Sequence, residues 1–185
     1  ASLGTYLAPL VDEAFVKGLH SPNDRPTALK WETALVKTLD LLVPCHGHNC
    51  EHKWFVFNGS MSPQCPFCGW KLRDSMPVLN FYKENKPGQF ASDNHRLVVW
   101  HNQYLFSWHV FDNVFAGEMA DRTPLGYFAN QNNKWILVNT NCDSLTVVGG
   151  GPVPIGQGVE LTDGKQVRLS TAPHGRLALV QLVRP

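Results

Sequence analysis

Residues 45–70, CHGHNCEHKWFVFNGSMSPQCPFCGW, hold most of the chain's 5 cysteines and a large share of its 8 histidines. No hydrophobic periodicity constrains the fold as strongly as this cluster. Its side chains must converge on a metal, pair as disulfides or form a reaction centre. Cys65-Pro66-Phe67-Cys68 is a C-x-x-C pair, with proline after the first cysteine and Gly69 after the second. That is the shape of a zinc knuckle, in which a tight turn aims both thiolates at one point and exposes backbone N–H groups to the sulfurs. A tetrahedral zinc needs two more ligands, at about 2.3 Å for sulfur or about 2.0–2.1 Å for nitrogen.

Cys45, His46, His48, Cys50 and His52 are the candidates, separated from Cys65 by an aromatic run, KWFVF, suited to a hairpin between two half-sites. Cys50 and His52 would face one side of an extended segment, but ligands so close seldom both serve one ion. The expected set is therefore Cys45, His52, Cys65 and Cys68, with Cys50 as the alternative to Cys45 and one structural Zn2+ per chain. His46 and His48 are expected as solvated loop residues. A zinc with every place filled by protein has no position for water, so it is structural rather than catalytic. A redox C-x-x-C would want a βαβ setting and a helix start after the strand, and neither pattern is evident. The remaining alternative is a set of unligated core cysteines.

An odd cysteine count with such clustering does not read as a secreted disulfide framework, so a cytoplasmic protein is expected. A net charge of +1 offers no strong field toward nucleic acid or an anionic membrane. No run approaches the ~18 apolar residues of a spanning helix. The start, ASLGTYLAPL, lacks the basic region and long apolar run of a secretory signal and has no initiating methionine, so a processed or excised chain is expected.

A chain of 185 residues suits one domain or two small ones. Leu7, Leu10, Val11, Ala14, Phe15 and Leu19 recur at helical spacing over residues 5–19. HSPNDRP breaks the pattern. Thr27 is a candidate N-cap for a second helix over about 28–42, with Trp31, Leu35, Leu39 and Leu42 on one face and Pro44 ending it. After Trp70, KLRDSMPVLNFYKENKPGQFASDNH is polar and proline-punctuated and reads as a connector or an extended crossing. From about residue 96 short β-type runs follow: RLVVWH, YLFSWHVF, GYFAN, KWILVN, SLTVV, VELT, QVRLS and RLALVQLV. Turn signals such as NQNN, GGGP, TDGK and APHG separate them, which suggests an antiparallel sandwich or barrel. The expected organisation is an α+β chain: a helical pair over 1–44, a zinc knuckle over 45–75 and a β-sandwich over 76–185.

EAFVKGLHSPNDRPTALKWETAL resembles the last two helices of a protein-kinase C-lobe, with RPTALKWETAL matching the arginine–proline start of the final one. In kinases that arginine, here Arg25, pairs with an activation-segment glutamate. The continuation LLVPC…CEHKWFVF…CPFCGW resembles bacterial kinase-like proteins in which a zinc knuckle follows the kinase domain; their pattern falls on Cys45, His52, Cys65 and Cys68. The whole chain is similar to the C-terminal region of the kinase in a tellurite-resistance-type phosphorylation triad. The resemblance implies two partners, a von Willebrand factor A protein and a metal-dependent protein phosphatase.

KWILVNTNCDSLTVVGGGPVPIGQGVELTDGKQVRLS resembles the later strands of a forkhead-associated (FHA) sandwich. Phosphothreonine-binding members carry an early Gly-Arg, a Ser-x-x-His loop and an Asn-Gly turn. Here Ser107 and His109 are spaced more tightly, NTNCDS has no Asn-Gly, and Gly-Arg occurs only at Gly175–Arg176. The resemblance therefore implies the sandwich without implying phosphopeptide reading.

A kinase needs a glycine-rich loop, a strand lysine, a catalytic-loop aspartate and a metal-binding D-F-G, and none occurs. GGGPVPIGQG lacks the Gly-Lys-Ser/Thr ending of a phosphate loop and reads as a hairpin connection. His109, Glu118, Asp121 and Arg122 fall in WHVFDNVFAGEMADRTPLGYF, either as a loop with ordinary ion pairs and a tucked histidine or as a partner surface. In the second reading Glu118 or Asp121 fills an open coordination place at the Mg2+ of a von Willebrand A domain. Trp100, Trp108 and Trp135 are expected in the core, and Cys142 as a free thiol. The expected function is a non-catalytic regulatory and scaffolding module. Two other classes stay in view. A nucleic-acid-binding zinc module has only Lys53 and Lys71–Arg73 for a basic stripe. A zinc hydrolase would need an open metal place with His46, His48 or Glu51 beside it.

Overall fold

Pro22 and Pro26 bracket the break between two helices. α1 (Gly4–Asp12) runs on through a π-helical turn at Glu13–Lys17, and α2 (Ala28–Leu39) starts where the Thr27 hydroxyl accepts the Lys30 N–H at 3.3 Å. The helices pack on each other, with Lys30 Nζ 2.8 Å from Glu13 Oε1 and Lys37 over the Tyr6 ring. Arg25 Nε donates to the Gly18 carbonyl at 2.9 Å. After α2 the chain forms β1 (Leu42–Pro44), antiparallel to β2 (Trp54–Val56) with Val43 opposite Phe55. Leu41, Val43, Phe55 and Phe57 are buried here.

The computed structural model describes residues 3–184; Ala1, Ser2 and Pro185, the ends of the first and last expected segments, lie outside them. The chain divides into two compact units near Arg73–Asp74. Among the described residues no helix is long and apolar enough to cross a membrane.

The second unit is antiparallel throughout. Its strands are β3 (Met76–Lys86), β4 (Gln89–Val98), β5 (Tyr104–Leu105), β6 (Gly126–Gln131), β7 (Lys134–Asn139), β8 (Thr146–Val147), β9 (Gly151–Pro152), β10 (Gly158–Glu160), β11 (Gln166–Arg168) and β12 (Leu177–Val183), with a single helical turn, α3 (Ser107–Val110), after β5. One sheet has the order β4-β3-β12-β11-β8-β9 and the other β10-β7-β6-β5. One core joins them: Leu79, Phe81, Val167 and Val180 from the larger sheet meet Leu105, Phe128, Leu137 and Val159 from the smaller. Each such side chain contributes about 1.5–3 kcal/mol by burial.

Two expectations are corrected here. The proline-punctuated connector after Trp70 is the longest hairpin of the sandwich, β3–β4. Pro87-Gly88 occupies the centre of its turn, with Gly88 at φ +74°, the conformation a type II turn requires at that place. Pro77 is tolerated inside β3, opposite Leu182, and its carbonyl accepts the Val99 N–H at 2.9 Å. YLFSWHVF is not one strand either: β5 stops at Leu105 and the chain closes the turn α3, where the Phe111 N–H reaches the Ser107 carbonyl.

The hairpin carries a bulge. Tyr82 pairs with Ser92 and Phe81 with His95, so Asp93 and Asn94 are extra on β4, and Asn94 takes φ +48°. The bulge turns the Asp93 carboxylate onto Arg176, whose Nε and Nη2 lie 2.7 and 2.6 Å from Oδ2. Arg176 is only 5% exposed, and its Nη1 donates to the Trp108 carbonyl at 2.6 Å. This nearly buried pair ties β4, α3 and the start of β12 together.

Glu84, on β3, accepts the Gly88 N–H at 2.6 Å and lies 2.6 Å from Arg168 Nη2. The Gly88 N–H, and after it the Arg168 charge, hold its carboxyl below the usual 4.5. A depressed carboxyl stabilises the fold above its unfolded pKa and loses that contribution as pH falls through the lower folded value. The stability gap between wild type and Glu84→Gln should therefore be full above about pH 5.5 and close as pH falls below 4. Urea midpoints across that range check this.

Candidate metal centre

β1 ends at Pro44 and delivers Cys45 to the hairpin tip. The Cys45 N–H donates to the Lys53 carbonyl at 2.7 Å, and the intervening loop turns on itself where the Cys50 N–H reaches the Gly47 carbonyl at 3.1 Å. Lys53, at φ +59°, redirects the chain into β2. The second half is built alike. The Cys65 N–H donates to the Trp70 carbonyl at 2.8 Å, the Gly69 N–H returns to the Cys65 carbonyl at 2.9 Å, and Gln64 bridges Lys71.

These two turns bring the sulfurs of Cys45, Cys50, Cys65 and Cys68 within 4.8 Å of one another. Cys45 and Cys68 are 3.5 Å apart and Cys50 and Cys65 3.8 Å apart. Sulfurs about 2.3 Å from a central ion define a tetrahedron with edges of about 3.8 Å. A disulfide would need about 2.05 Å, and all five cysteines are free thiols. The geometry is compatible with one zinc ion. Cys45, Cys50 and Cys65 are buried and Cys68 is exposed.

Gly47 makes the convergence possible. A Cβ there would sit 2.7 Å from Cys68 Sγ and 3.1 Å from the Trp70 Cβ, and its own N–H donates to Cys45 Sγ at 3.5 Å. Burial pushes the Cys45 thiol up to about 12 despite that N–H. Burial opposes ionisation at Cys50 too, but the Lys53 N–H and the neighbouring sulfurs outweigh it and bring the thiol down to about 7. Crowding of the sulfurs opposes full ionisation of the cluster, an opposition that a bound cation would relieve.

Cys50, not His52, completes the converging group of four. The His52 ring instead stacks on Phe67 with centroids 3.8 Å apart. His46 meets the edge of Trp70 at 5.5 Å, and His48 Nδ1 lies 2.9 Å from Asn49 Oδ1 at the exposed surface. The sequence carried the signal for Cys50 in the C-x-x-x-x-C spacing with a glycine inside it. Gly47 itself was not singled out.

The residues considered as a partner surface differ in exposure. His109 is buried, its Nδ1 accepting the Phe106 N–H at 3.1 Å, whereas Glu118, Asp121 and Arg122 are exposed. Asp121 accepts the Thr123 N–H at 2.8 Å, and its hydrogen bonds to Thr123 hold the carboxyl below its usual range. Trp100, Trp108 and Trp135 are half-buried, and Trp135 Nε1 donates to the Ser75 carbonyl at 2.8 Å. Cys142 is buried, donating to the Leu169 carbonyl at 2.9 Å, and burial raises its pKa.

No protein-family model matches the chain, and no curated protein matches it. A distant structural neighbour is the solution structure of the FHA domain of an Arabidopsis thaliana hypothetical protein, at 16% identity and a TM-score of 0.40, covering 60% of this chain and 89% of that one. At that TM-score the likeness carries no argument.

Burial separates the thiols into two classes. In metal-free protein Cys68 should react with Ellman's reagent in native buffer, and Cys45, Cys50, Cys65 and Cys142 only after denaturant is added. A second thiol reacting as fast in native buffer would contradict that burial.

Proposed function

We propose that this chain is a non-catalytic regulatory and scaffolding module, in which one zinc ion held by Cys45, Cys50, Cys65 and Cys68 orders the N-terminal unit and the β-sandwich recruits a protein partner. The observation that carries this reading is the convergence of four sulfurs within 4.8 Å. Zinc bound there would supply structural cross-linking. With four protein sulfurs as ligands no place is left for water or substrate, which favours structure over hydrolysis. The hairpin β1–β2 pairs only Leu42–Pro44 with Trp54–Val56, so its own burial is small and metal binding would supply its folding free energy.

The kinase-like helices and FHA-like strands read in the sequence support a place at the C-terminal end of a bacterial serine/threonine kinase of the tellurite-resistance-type triad. In that setting the partner is a von Willebrand factor A protein. The exposed carboxylates of Glu118 and Asp121 suit a hard Mg2+ ion with an open coordination place. The buried His109 does not take part.

Metal analysis of the full chain should give one zinc per chain, and chelation should abolish near-ultraviolet signals from the N-terminal aromatics. Cys50→Ser, which removes a ligand, should weaken zinc binding by more than the ~10–100-fold that loss of an outer-shell partner produces, and His52→Ala, whose ring stacks on Phe67, by less than that range. A chain without zinc, or one indifferent to chelation, overturns the structural role. Glu118→Gln with Asp121→Asn should weaken Mg2+-dependent binding of a von Willebrand A protein at least ~10-fold, about 1.4 kcal/mol. Unchanged binding rejects that contact.

A further inference from the structure

The four sulfurs are not equivalent. Cys45, Cys50 and Cys65 are 6%, 2% and 1% exposed, whereas Cys68 is open to solvent. The sulfur within 3.5 Å of Cys68 is that of Cys45, and Gly47 presents no side chain to that pair. The cluster thus has one exposed cysteine whose sulfur lies 3.5 Å from that of a buried one.

We propose that the centre is a peroxide-sensitive switch, in which oxidation joins Cys68 to Cys45 and releases the zinc; this rests on the zinc reading above. Zinc keeps its cysteines as thiolates at neutral pH, and susceptibility to oxidation follows thiolate character and exposure. The Cys68 thiolate attacks one oxygen of a hydroperoxide. An S–O bond forms, the O–O bond breaks, and the departing oxygen leaves as water or alcohol after taking a proton. The Cys45 thiolate then attacks the Cys68 sulfur, so that the S–S bond forms and the S–O bond breaks, with hydroxide leaving as water after protonation. Two thiolates lose one electron each, the peroxide gains two, and zinc remains Zn2+. Two thiolates out of four leave a pair of sulfurs, too few to retain a structural zinc. Cys50 and Cys65, at 3.8 Å but buried, are shielded from the first step.

The test treats the zinc-loaded full chain with hydrogen peroxide while a chromogenic chelator follows metal release, then maps disulfides by peptide mass spectrometry. The expected result is one zinc released per peroxide consumed, a Cys45–Cys68 disulfide, unmodified Cys142, and reloading after a thiol reductant. Cys68→His retains a ligand but removes the exposed thiolate, and should slow release at least tenfold. Cys142→Ser should release zinc as wild type does. Zinc that stays bound at peroxide excess, or a first disulfide between Cys50 and Cys65, overturns the switch while leaving the zinc reading intact. If the isolated chain holds and takes up no zinc, the zinc reading and the switch fall together. Where Cys68→His fails to load, the wild-type disulfide map decides alone.

Discussion

Four thiols gathered within 4.8 Å of one another gain little from each other. S–H groups are weak donors and weak acceptors, and ionising one leaves the rest harder to ionise. The N-terminal unit nevertheless spends chain order on bringing them together. Two separate turns close on backbone hydrogen bonds from Cys45 to Lys53 and from Cys65 to Trp70, and Gly47 gives up its side chain so that the sulfurs can meet. A divalent cation bound among the four sulfurs would offset that cost.

The sandwich is held by other means. Its apolar layer runs from Leu79 and Phe81 to Phe128 and Leu137, and needs no cross-link. The ion pair of Arg176 with Asp93 has little access to water, and Arg176 reaches the Trp108 carbonyl as well. A buried charge pair earns its place only when its remaining donors are satisfied. Here the β4 bulge supplies the carboxylate and α3 supplies the carbonyl. The sandwich therefore rests on apolar burial, with its charge pair satisfied by surrounding hydrogen bonds.

Much of this was legible in the residues, and the failures have physical causes. Thr27 as a cap could be read directly, because capping is local. So could the antiparallel, turn-punctuated character of the second unit. The β3–β4 hairpin was hidden because prolines were weighed as breakers. Pro87 forms its turn, and Pro77 sits in the strand with its carbonyl still engaged. The helical turn at Ser107–Val110 was hidden because its β-branched and aromatic residues favour strands in isolation. At the cysteine cluster Cys65, Cys68 and Cys45 were legible from spacing. That Cys50 joins Cys45 instead of substituting for it, with His52 left outside the group of four, was not, since it depends on where Lys53 turns the chain and on the Phe67 ring stacked on His52.

The placement of β12 sets the order in which the sandwich can be finished. β3 and β4 are joined by a tight turn and can pair as soon as both exist, with little loop entropy to overcome. β12 lies beside β3 across a large part of the sequence; Asn80 Nδ2 meets the Leu179 carbonyl over a separation of 99 positions. Closing so long a loop carries an entropic cost that only the completed core offsets. The latest-made of the described strands is thus inserted between β3 and β11, near the middle of the larger sheet. During synthesis the ribosome must release Leu177–Val183 before the larger sheet can seal, whereas every strand of the smaller sheet has been made by then.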